Sequence, residues 1–446
     1  MNHLYAIAKG KVDMTATGDI YSARKRLLFK SGSVISIEDY ESHRKTPLLH
    51  PFEEYVTLVE KIAPNDLYQK VSELVEDDHS LRSIDQKFAQ REVLSGCCKK
   101  IFQYPRLDEI VTLFFISRPQ LFAQSLRVAY LAYVFGISSK YPQEKIEALF
   151  IAGLLHDIGL LFISPKITNK VGKLTGEEWA KIQLHPIIGY KMLRNVDNFP
   201  LECGRAVLDH HECVDGSGYC RNKKGDEIHW EALVVSIMDD VVAIYQNKLK
   251  PIGRNLSDLE PTILMNTHGY PRDILSGTLA LVKCVEPSVV KRIDLQSLHV
   301  MVEYTYQQQL YINKFFDVLT TIDGQIKEIN LAKDAQLLKD AWERLSMTIT
   351  SSGINESSYM EWLLRLESEE DWIELYTEIE FTRLMLEEVI YEMNNFYNNV
   401  SGLIPKSKND DLNNYKVFTH VYMATQRPTV PEMLQKYWDS HPYDEE

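Results

Sequence analysis

The sequence predicts a mostly α-helical fold with a small mixed or β module at the N-terminus and a helical extension at the C-terminus. Apolar residues recur at helical spacing from Leu121 to about Tyr245, which indicates packed helices. Only three glycines remain after residue 290, which favours long helices there. The predicted regions are an N-terminal module at 1–60, a helical connector at 61–118, a central helical domain at 119–290 and the extension at 291–446.

The N-terminal regions carry two local signals. Residues 26–36 predict a β-hairpin, because β-branched residues flank a turn at Ser31 and Gly32. Residues 66–103 have a helical pattern, with Gly96 as a possible end. We therefore expect a small β element followed by helix in the first hundred residues.

The C-terminal region contains apolar residues spaced seven apart, which is typical of a helix that packs along one seam against another helix. The partner helix can belong to the same chain or to a second chain, and the second case predicts a homodimer or a protein partner. The residues of the seam are Trp372, Ile379, Leu386, Met393 and Val400.

The composition excludes several classes of protein. Of 446 residues, 45% are hydrophobic and 25% are charged, as in ordinary globular proteins, so the chain is neither disordered nor collagen-like. No run of about 18 apolar residues predicts a membrane span. Six cysteines in a chain of this length do not predict a disulfide framework. We therefore expect a cytoplasmic protein.

The net charge of −14 is unevenly distributed. Residues 301–446 hold 26 acidic and 12 basic residues, so they account for all of it. An acidic surface disfavours a nucleic-acid polymer or an anionic membrane as partner. The neutral remainder of the chain can still hold a small anionic ligand in a local site.

Histidines and aspartates cluster in segments that otherwise predict apolar helices. A buried charge must be paired or metal-bound, and these segments offer few basic partners. Imidazole and carboxylate together suit Mn, Fe, Zn or Ni, so the pattern predicts a metal site rather than isolated core residues. The candidate ligands are His156, Asp157, His185, His210, His211 and Asp239.

These residues lie in recognisable motifs. The segment Leu155-His156-Asp157-Ile158-Gly159 resembles the HD signature of metal-dependent phosphohydrolases. The segment from His210 to Tyr219 is similar to the second signature of the HD-GYP branch of that family. Between them, Lys170 to Trp179 and then His185-Pro186 resemble the segment that joins the two signatures. The resemblance covers residues of about 120–255.

The resemblance implies an HD-type helical core with two divalent transition metals, iron or manganese, bound by the six candidate ligands. It implies hydrolysis of the cyclic dinucleotide c-di-GMP, with His156 and Asp157 as catalytic residues and Asp157 as the bridge between the metals. The residues expected to contact the substrate are Gly216, Ser217, Gly218, Tyr219 and Lys248.

Several positions depart from the family pattern. Gln124 stands where the first helix of the family carries a histidine, and Gln120 stands where members with three metals have an acidic ligand, so both positions are weakened ligands. Leu160 replaces a lysine, and Cys220 replaces the proline of Gly-Tyr-Pro. These changes keep open an alternative function, in which a catalytically degenerate protein acts as a cyclic-dinucleotide receptor or signalling scaffold.

Overall fold

The computed structural model describes most of the first 326 residues and two later helical segments. The described residues are 13–43, 45–170, 172, 174–265, 269–286, 295–326, 372–403 and 427–440, with the single positions 342, 343, 345, 346 and 349. The chain divides into two compact units. The first comprises Met1–Gln246 and Ser276–Cys284, and the second comprises Asn247–Leu275 and Val285–Glu446.

The N-terminal part of the first unit contains five short strands, which are β1 (Met14–Ala16), β2 (Ile20–Tyr21), β3 (Leu27–Phe29), β4 (Val34–Ile35) and β5 (Val56–Leu58). Strand β1 lies between β4 and β5 in an antiparallel three-stranded sheet, and β2 pairs with β3.

The predicted hairpin over residues 26–36 is wrong in its pairing. Strands β3 and β4 flank the turn as expected, but each pairs with a different strand. The turn explains this, because its amides bond to the preceding segment: Gly32 N–H donates to Ala16 O at 2.7 Å. Ser31 N–H donates to Asp19 Oδ1 at 2.8 Å. These bonds draw β4 onto β1 instead of onto β3.

The rest of the described chain is mainly helical, which confirms the predicted fold class. The helices are α1 (Ile37–His43), α2 (Pro64–Glu76), α3 (His79–Phe88), α4 (Arg91–Ile101), α5 (Leu107–Ser117), α6 (Pro119–Ser138), α7 (Gln143–Leu155), α8 (Pro165–Thr168), α9 (Gly176–Ile182), α10 (His185–Leu193), α11 (Leu201–Asp209), α12 (Trp230–Ile244), α13 (Glu260–Met265), α14 (Arg272–Val282), α15 (Leu295–Ile326), α16 (Trp372–Leu403) and α17 (Glu432–Ser440).

The predicted helical segment at 66–103 contains three helices, and Gly96 ends none of them. The first break lies at Asp78, whose side chain caps α3 by accepting from Leu81 N. Gly96 lies inside α4, where a Cβ would meet only the Gln143 side chain, at 3.8 Å. The first helix boundary in this segment therefore coincides with a capping side chain. Gly96 does not interrupt its helix, because α4 accommodates it.

Helices α6 and α7 form the centre of the first unit, and α11 and α12 pack around them. At Gly153 a Cβ would lie 2.8 Å from the Ala129 Cα, so glycine allows α6 and α7 to approach closely. By length and composition alone, helix α6 is long and apolar enough to cross a membrane. Most of it is buried within the unit, including Tyr130 and Tyr133, so burial in a protein core accounts for its composition.

In the second unit, α16 packs against α15. Ile379 lies in a cluster with Leu298 and Met301 of α15. Leu386 and Met393 lie in a second cluster, which includes Ile312 and Phe315. The described part of the heptad seam is thus buried by a helix of the same chain. The side chains of Trp372 and Val400 lie outside the described residues.

Candidate metal centre

Two candidate ligands lie at the end of helix α7. His156 and Asp157 follow its last residue and precede a 3-10 segment, Ile158–Phe162. His156 is fully buried, and its Nδ1 lies 2.7 Å from the carbonyl oxygen of Gly153. A carbonyl can only accept, so Nδ1 is the protonated nitrogen and Nε2 is left to face the site.

His185 and His210 repeat this arrangement. The Nδ1 of His185 donates to Ile182 O at 2.8 Å, and the Nδ1 of His210 donates to Val207 O at 2.8 Å. In each case the acceptor is the carbonyl three residues earlier. Metal-ligating histidines are typically held in this way by their second nitrogen, which fixes both tautomer and ring orientation.

The ligand atoms converge on one point. One ligand atom each from Asp157, His185, His210 and His211 lies within 4.8 Å of the others. The two carboxylate oxygens of Asp157 lie 3.1 Å from His185 Nε2 and 3.4 Å from His156 Nε2. Asp157 therefore stands between two histidines from different helices.

The converging atoms fit a cation. The Nε2 atoms of His185 and His210 lie 3.1 Å apart, although both Nδ1 protons are already used by carbonyls. Two lone pairs facing each other repel unless a positive charge lies between them. In the described part of the chain, the buried Nε2 of His156 makes no well-aligned hydrogen bond, although carboxylate oxygens of Asp157 and Asp239 lie 3.4 and 3.5 Å away. Imidazole and carboxylate donors of this kind suit a divalent transition metal.

The charge states of the residues agree with this fit. Burial and the neighbouring histidines hold the pKa of His210 well below its usual value, and burial lowers the pKa of His211 to about 4. Burial alone would raise the pKa of Asp157, but His156 and His185 hold it well below its usual value. Neutral imidazoles and an ionised carboxylate are the forms that bind metal.

His156 behaves differently from the other histidines. Burial lowers its pKa, but the carboxylates of Asp157 and Asp239 outweigh burial and raise it well above the usual value. Since Nδ1 already carries a proton, an additional proton goes to Nε2, between the two carboxylates. A proton and a metal therefore compete for the same atom.

Asp239 and Gln124 complete this side of the site. Asp239 lies on α12, and its Oδ1 is 3.5 Å from His156 Nε2. The side-chain amide of Gln124, on α6, donates to the same Oδ1 at 3.3 Å. Gln124 thus lies beside the ligands through a hydrogen bond, whereas Gln120 is exposed at the start of α6.

Two glycines let the backbone close around the ligands. A Cβ on Gly159 would lie 2.0 Å from His185 O, so glycine is required for the 3-10 segment to approach α10. A Cβ on Gly218 would lie 2.4 Å from His211 O. Next to Gly218, Tyr219 N–H donates to His211 O at 2.9 Å, and the Tyr219 ring stacks on the His211 ring at 4.6 Å.

The remaining predicted substrate residues have separate placements. Ser217 is exposed, and its N–H and Oγ both bond to Asp215 Oδ1. Gly216 has a φ of +83°, so this turn requires a residue that tolerates the left-handed region. Lys248 belongs to the second unit, where its Nζ lies 5.0 Å from the centre of the Tyr391 ring.

The residues that depart from the family pattern are also accounted for. Leu160 is buried in the 3-10 segment. The thiol of Cys220 donates to Gln183 O at 3.2 Å. Each of these side chains is used in packing or in a local contact.

Sequence reasoning missed an ion cluster that directly adjoins the histidine pair. Asp209 is fully buried and pairs with Arg221 and with Lys223, whose Nζ lies 2.8 Å from Asp209 Oδ2. Glu212 is also buried and accepts the backbone N–H groups of Arg221 at 2.6 Å and Lys223 at 2.9 Å. These carboxylates hold the loop after Tyr219, but no motif spacing predicts the pairing.

Comparison with known proteins identifies the domain that carries this site. Residues 110–257 match the family model described as "HD domain". These residues form an HD domain. The resemblance to the HD-GYP branch of the family is confirmed, and identities near 30% to its relatives agree with a divergent member.

The relatives match only part of this chain. The chain is 29% identical over 190 residues to the "Cyclic di-GMP phosphodiesterase response regulator RpfG" of Xanthomonas campestris, covering 41% of this chain and 49% of that protein. It is 36% identical over 121 residues to a "Cyclic di-GMP phosphodiesterase" of Thermotoga maritima, covering 26% and 33%. It is 34% identical over 116 residues to "3'3'-cGAMP-specific phosphodiesterase 3" of Vibrio cholerae, covering 25% of each.

The matched regions span at most about half the length of these relatives. A solved HDG"Y"P protein from Bdellovibrio bacteriovorus aligns with a TM-score of 0.34 and 14% identity, over 62% of this chain and 97% of that chain. The local geometry of the HD domain, rather than overall similarity, therefore has to carry any statement about function.

Proposed function

We propose that the HD domain is a metal-dependent phosphodiesterase that hydrolyses a cyclic dinucleotide, with c-di-GMP as the first candidate. One observation carries the proposal. Buried ligand atoms from four side chains converge within 4.8 Å, and two of the histidines point their unprotonated nitrogens at each other. Such a cluster is unfavourable without a cation, and the relatives that share the domain are named as cyclic-dinucleotide phosphodiesterases.

The proposal assigns two divalent metals, iron or manganese, to the six candidate ligands. His185, His210 and His211 converge with Asp157 in one group of donors, and His156 and Asp239 form a second group that also adjoins Asp157. When bound, such metals supply positive charge to the phosphodiester and acidify water at neutral pH. His156 and Asp157 are the proposed catalytic residues, with Asp157 contacting both groups of ligands.

The chain's own residues shape the place where a phosphodiester would lie. Gly218 keeps the loop backbone against His211 and Glu212, and Tyr219 covers one face of the His211 ring. This wall excludes water from one side of the ligands. We assign substrate contact to residues 216–219, and the contact of Lys248 with phosphate stays a prediction from the sequence resemblance.

The choice of cyclic dinucleotide is the finer part of the proposal. The names of the relatives include both c-di-GMP and 3'3'-cGAMP phosphodiesterases. All six cysteines are free thiols, which suits the reducing cytoplasm in which we place the protein. Turnover of the two dinucleotides has to be compared directly.

The test combines metal content with turnover. Protein prepared without oxygen is analysed for Fe and Mn, and then assayed with c-di-GMP, 3'3'-cGAMP and an aryl phosphate monoester. We expect bound metal and faster hydrolysis of a cyclic dinucleotide than of the monoester. The comparison variants are Asp157→Asn and Asp226→Asn. The first removes a ligand charge, and the second changes an exposed carboxylate in the loop that follows Tyr219.

Two results would contradict the proposal. The metal centre would be excluded if the wild-type protein held no transition metal. It would also be excluded if Asp157→Asn and Asp226→Asn held equal amounts of metal. A metal-loaded protein that binds c-di-GMP but turns over neither dinucleotide would instead support the receptor function.

A further inference from the structure

A large aromatic side chain lies exposed near the metal centre. Trp179 lies on α9, and 42% of its surface is exposed. The helix that carries it is held firmly, because Thr175 and Glu178 form a reciprocal capping box. Glu178 also pairs with Lys170 at 2.6 Å, which ties the preceding loop to the helix. Trp179 is therefore exposed on an anchored element.

A continuous series of rings joins Trp179 to the metal ligands. The Tyr219 ring stacks on the ring of His211, with 4.6 Å between centres and 25° between planes. The Trp179 ring meets Tyr219 at 5.9 Å and 72°, an edge-to-face contact. Such a contact uses at most one face of the indole, and 42% of Trp179 is exposed, which leaves surface for a further ring.

We propose that Trp179 stacks on a purine base of the nucleotide whose phosphate lies at the metal centre. The inference rests on the proposed function, and it names the residue that recognises the base. In a nucleotide the base is joined to the phosphate through one ribose, and Trp179 is separated from the ligand His211 by one ring. Stacking on an indole tolerates any base, so Trp179 provides affinity for purine nucleotides without selecting between guanine and adenine.

The position also compensates for a missing cation. Leu160 is buried and uncharged, so the residue after the HD signature gives the phosphate no electrostatic contact. An exposed indole adds affinity at the base end of the ligand instead. The simpler explanation is that a single exposed tryptophan has no ligand, which is common on protein surfaces.

Binding of GMP, c-di-GMP and inorganic phosphate to the metal-loaded full chain separates these explanations. Calorimetry measures affinity, and quenching of tryptophan fluorescence reports stacking. Trp179→Ala should weaken binding of both nucleotides by roughly 5- to 150-fold and leave phosphate binding unchanged. Trp179→Phe should retain most of the nucleotide affinity, because it keeps an aromatic face, but should lose the fluorescence quenching.

Leu201→Ala is the matched control, because Leu201 is another exposed apolar residue of the same unit, 52% exposed. It should leave both signals and the metal content unchanged. If Trp179→Ala binds both nucleotides as tightly as the wild type, the inference is wrong and the phosphodiesterase proposal stands. If binding depends on Trp179 but no nucleotide is hydrolysed, the phosphodiesterase proposal fails and the inference stands. A wild type that binds no purine nucleotide overturns both.

Discussion

Two buried carboxylates of the HD domain have opposite surroundings. Asp157 faces His156 and His185, and in the described part of the chain no lysine or arginine pairs with it. Asp209 is adjacent in sequence to the ligand His210, yet it faces Arg221 and Lys223. Both carboxylates are buried, but only one is neutralised by permanently charged side chains of the chain itself.

The difference separates a structural ion cluster, called the anchor here and formed by Asp209, Arg221 and Lys223, from a candidate ligand site. A buried charge is costly unless a partner compensates it, so the Asp209 cluster is complete as folded and has a structural role. In the Asp157 cluster the carboxylate instead faces imidazoles, and two of these imidazoles direct lone pairs at each other. Charge balance therefore distinguishes the candidate metal centre from the ion pair, although His210 of the first and Asp209 of the second are neighbours in sequence.

The largest predicted effect breaks the anchor. In Arg221→Ala/Lys223→Met, Asp209 stays buried without a cation, so we expect the free energy of unfolding to fall by about 3–5 kcal/mol. Asp209→Asn should cost less, because Arg221 and Lys223 are partly exposed and can reach water. Chemical denaturation measures both, with exposed Arg205→Ala as the control. Equal losses in the two variants would contradict the anchor.

The second prediction concerns manganese binding at the Asp157 cluster. Manganese at about 100 times its dissociation constant should raise the free energy of unfolding by about 2.7 kcal/mol, because only the folded chain presents the converged ligands. Asp157→Ala should abolish this gain, and Asp226→Ala should retain it. Thermal unfolding with manganese or with a chelator gives the measurement, and equal stabilisation of both variants would exclude Asp157 as a ligand.

Sequence reasoning selected the candidate ligands because their chemistry is local. His156, Asp157, His210 and His211 lie in two short motifs, and apolar periodicity places these motifs on helices. It could not find the anchor, because Asp209 and its cations are 12 and 14 residues apart across an irregular loop. The strand pairing was not predicted for the same reason, because a hydrogen bond between residues far apart in sequence, from Gly32 to Ala16, decides which strands pair.

The third prediction uses the competition between proton and metal at His156. The pKa of His156 is raised, so below that pKa a metal that binds at His156 must displace one proton from Nε2. The pKa values of His210 and His211 are lowered, so they add no further proton. Affinity for manganese should therefore rise about tenfold per pH unit up to the pKa of His156. Calorimetry from pH 6 to 8 measures the slope, and Asp239→Asn should flatten it.

The smallest predicted effect concerns Gln124, a neutral side chain that contacts the candidate ligand Asp239. Its amide is neutral and donates to Asp239 at 3.3 Å, so it steadies a ligand without balancing its charge. Removing one such bond costs about 0.5–1.5 kcal/mol, so Gln124→Ala should weaken manganese binding roughly 2- to 10-fold. Gln124→His should act in the opposite direction and raise metal stoichiometry towards two per chain, because imidazole is a better donor than an amide.

Both Gln124 variants need a control on the same helix. Gln120→Ala changes an exposed amide one turn earlier and should leave metal binding unchanged. Metal per chain and the dissociation constant for manganese are measured at limiting metal, where occupancy is most sensitive to affinity. If Gln124→Ala matches the wild type, the bond to Asp239 does not position the ligand. If Gln124→His leaves stoichiometry unchanged while Gln124→Ala lowers affinity, Gln124 supports Asp239, but its position cannot place an imidazole on the metal.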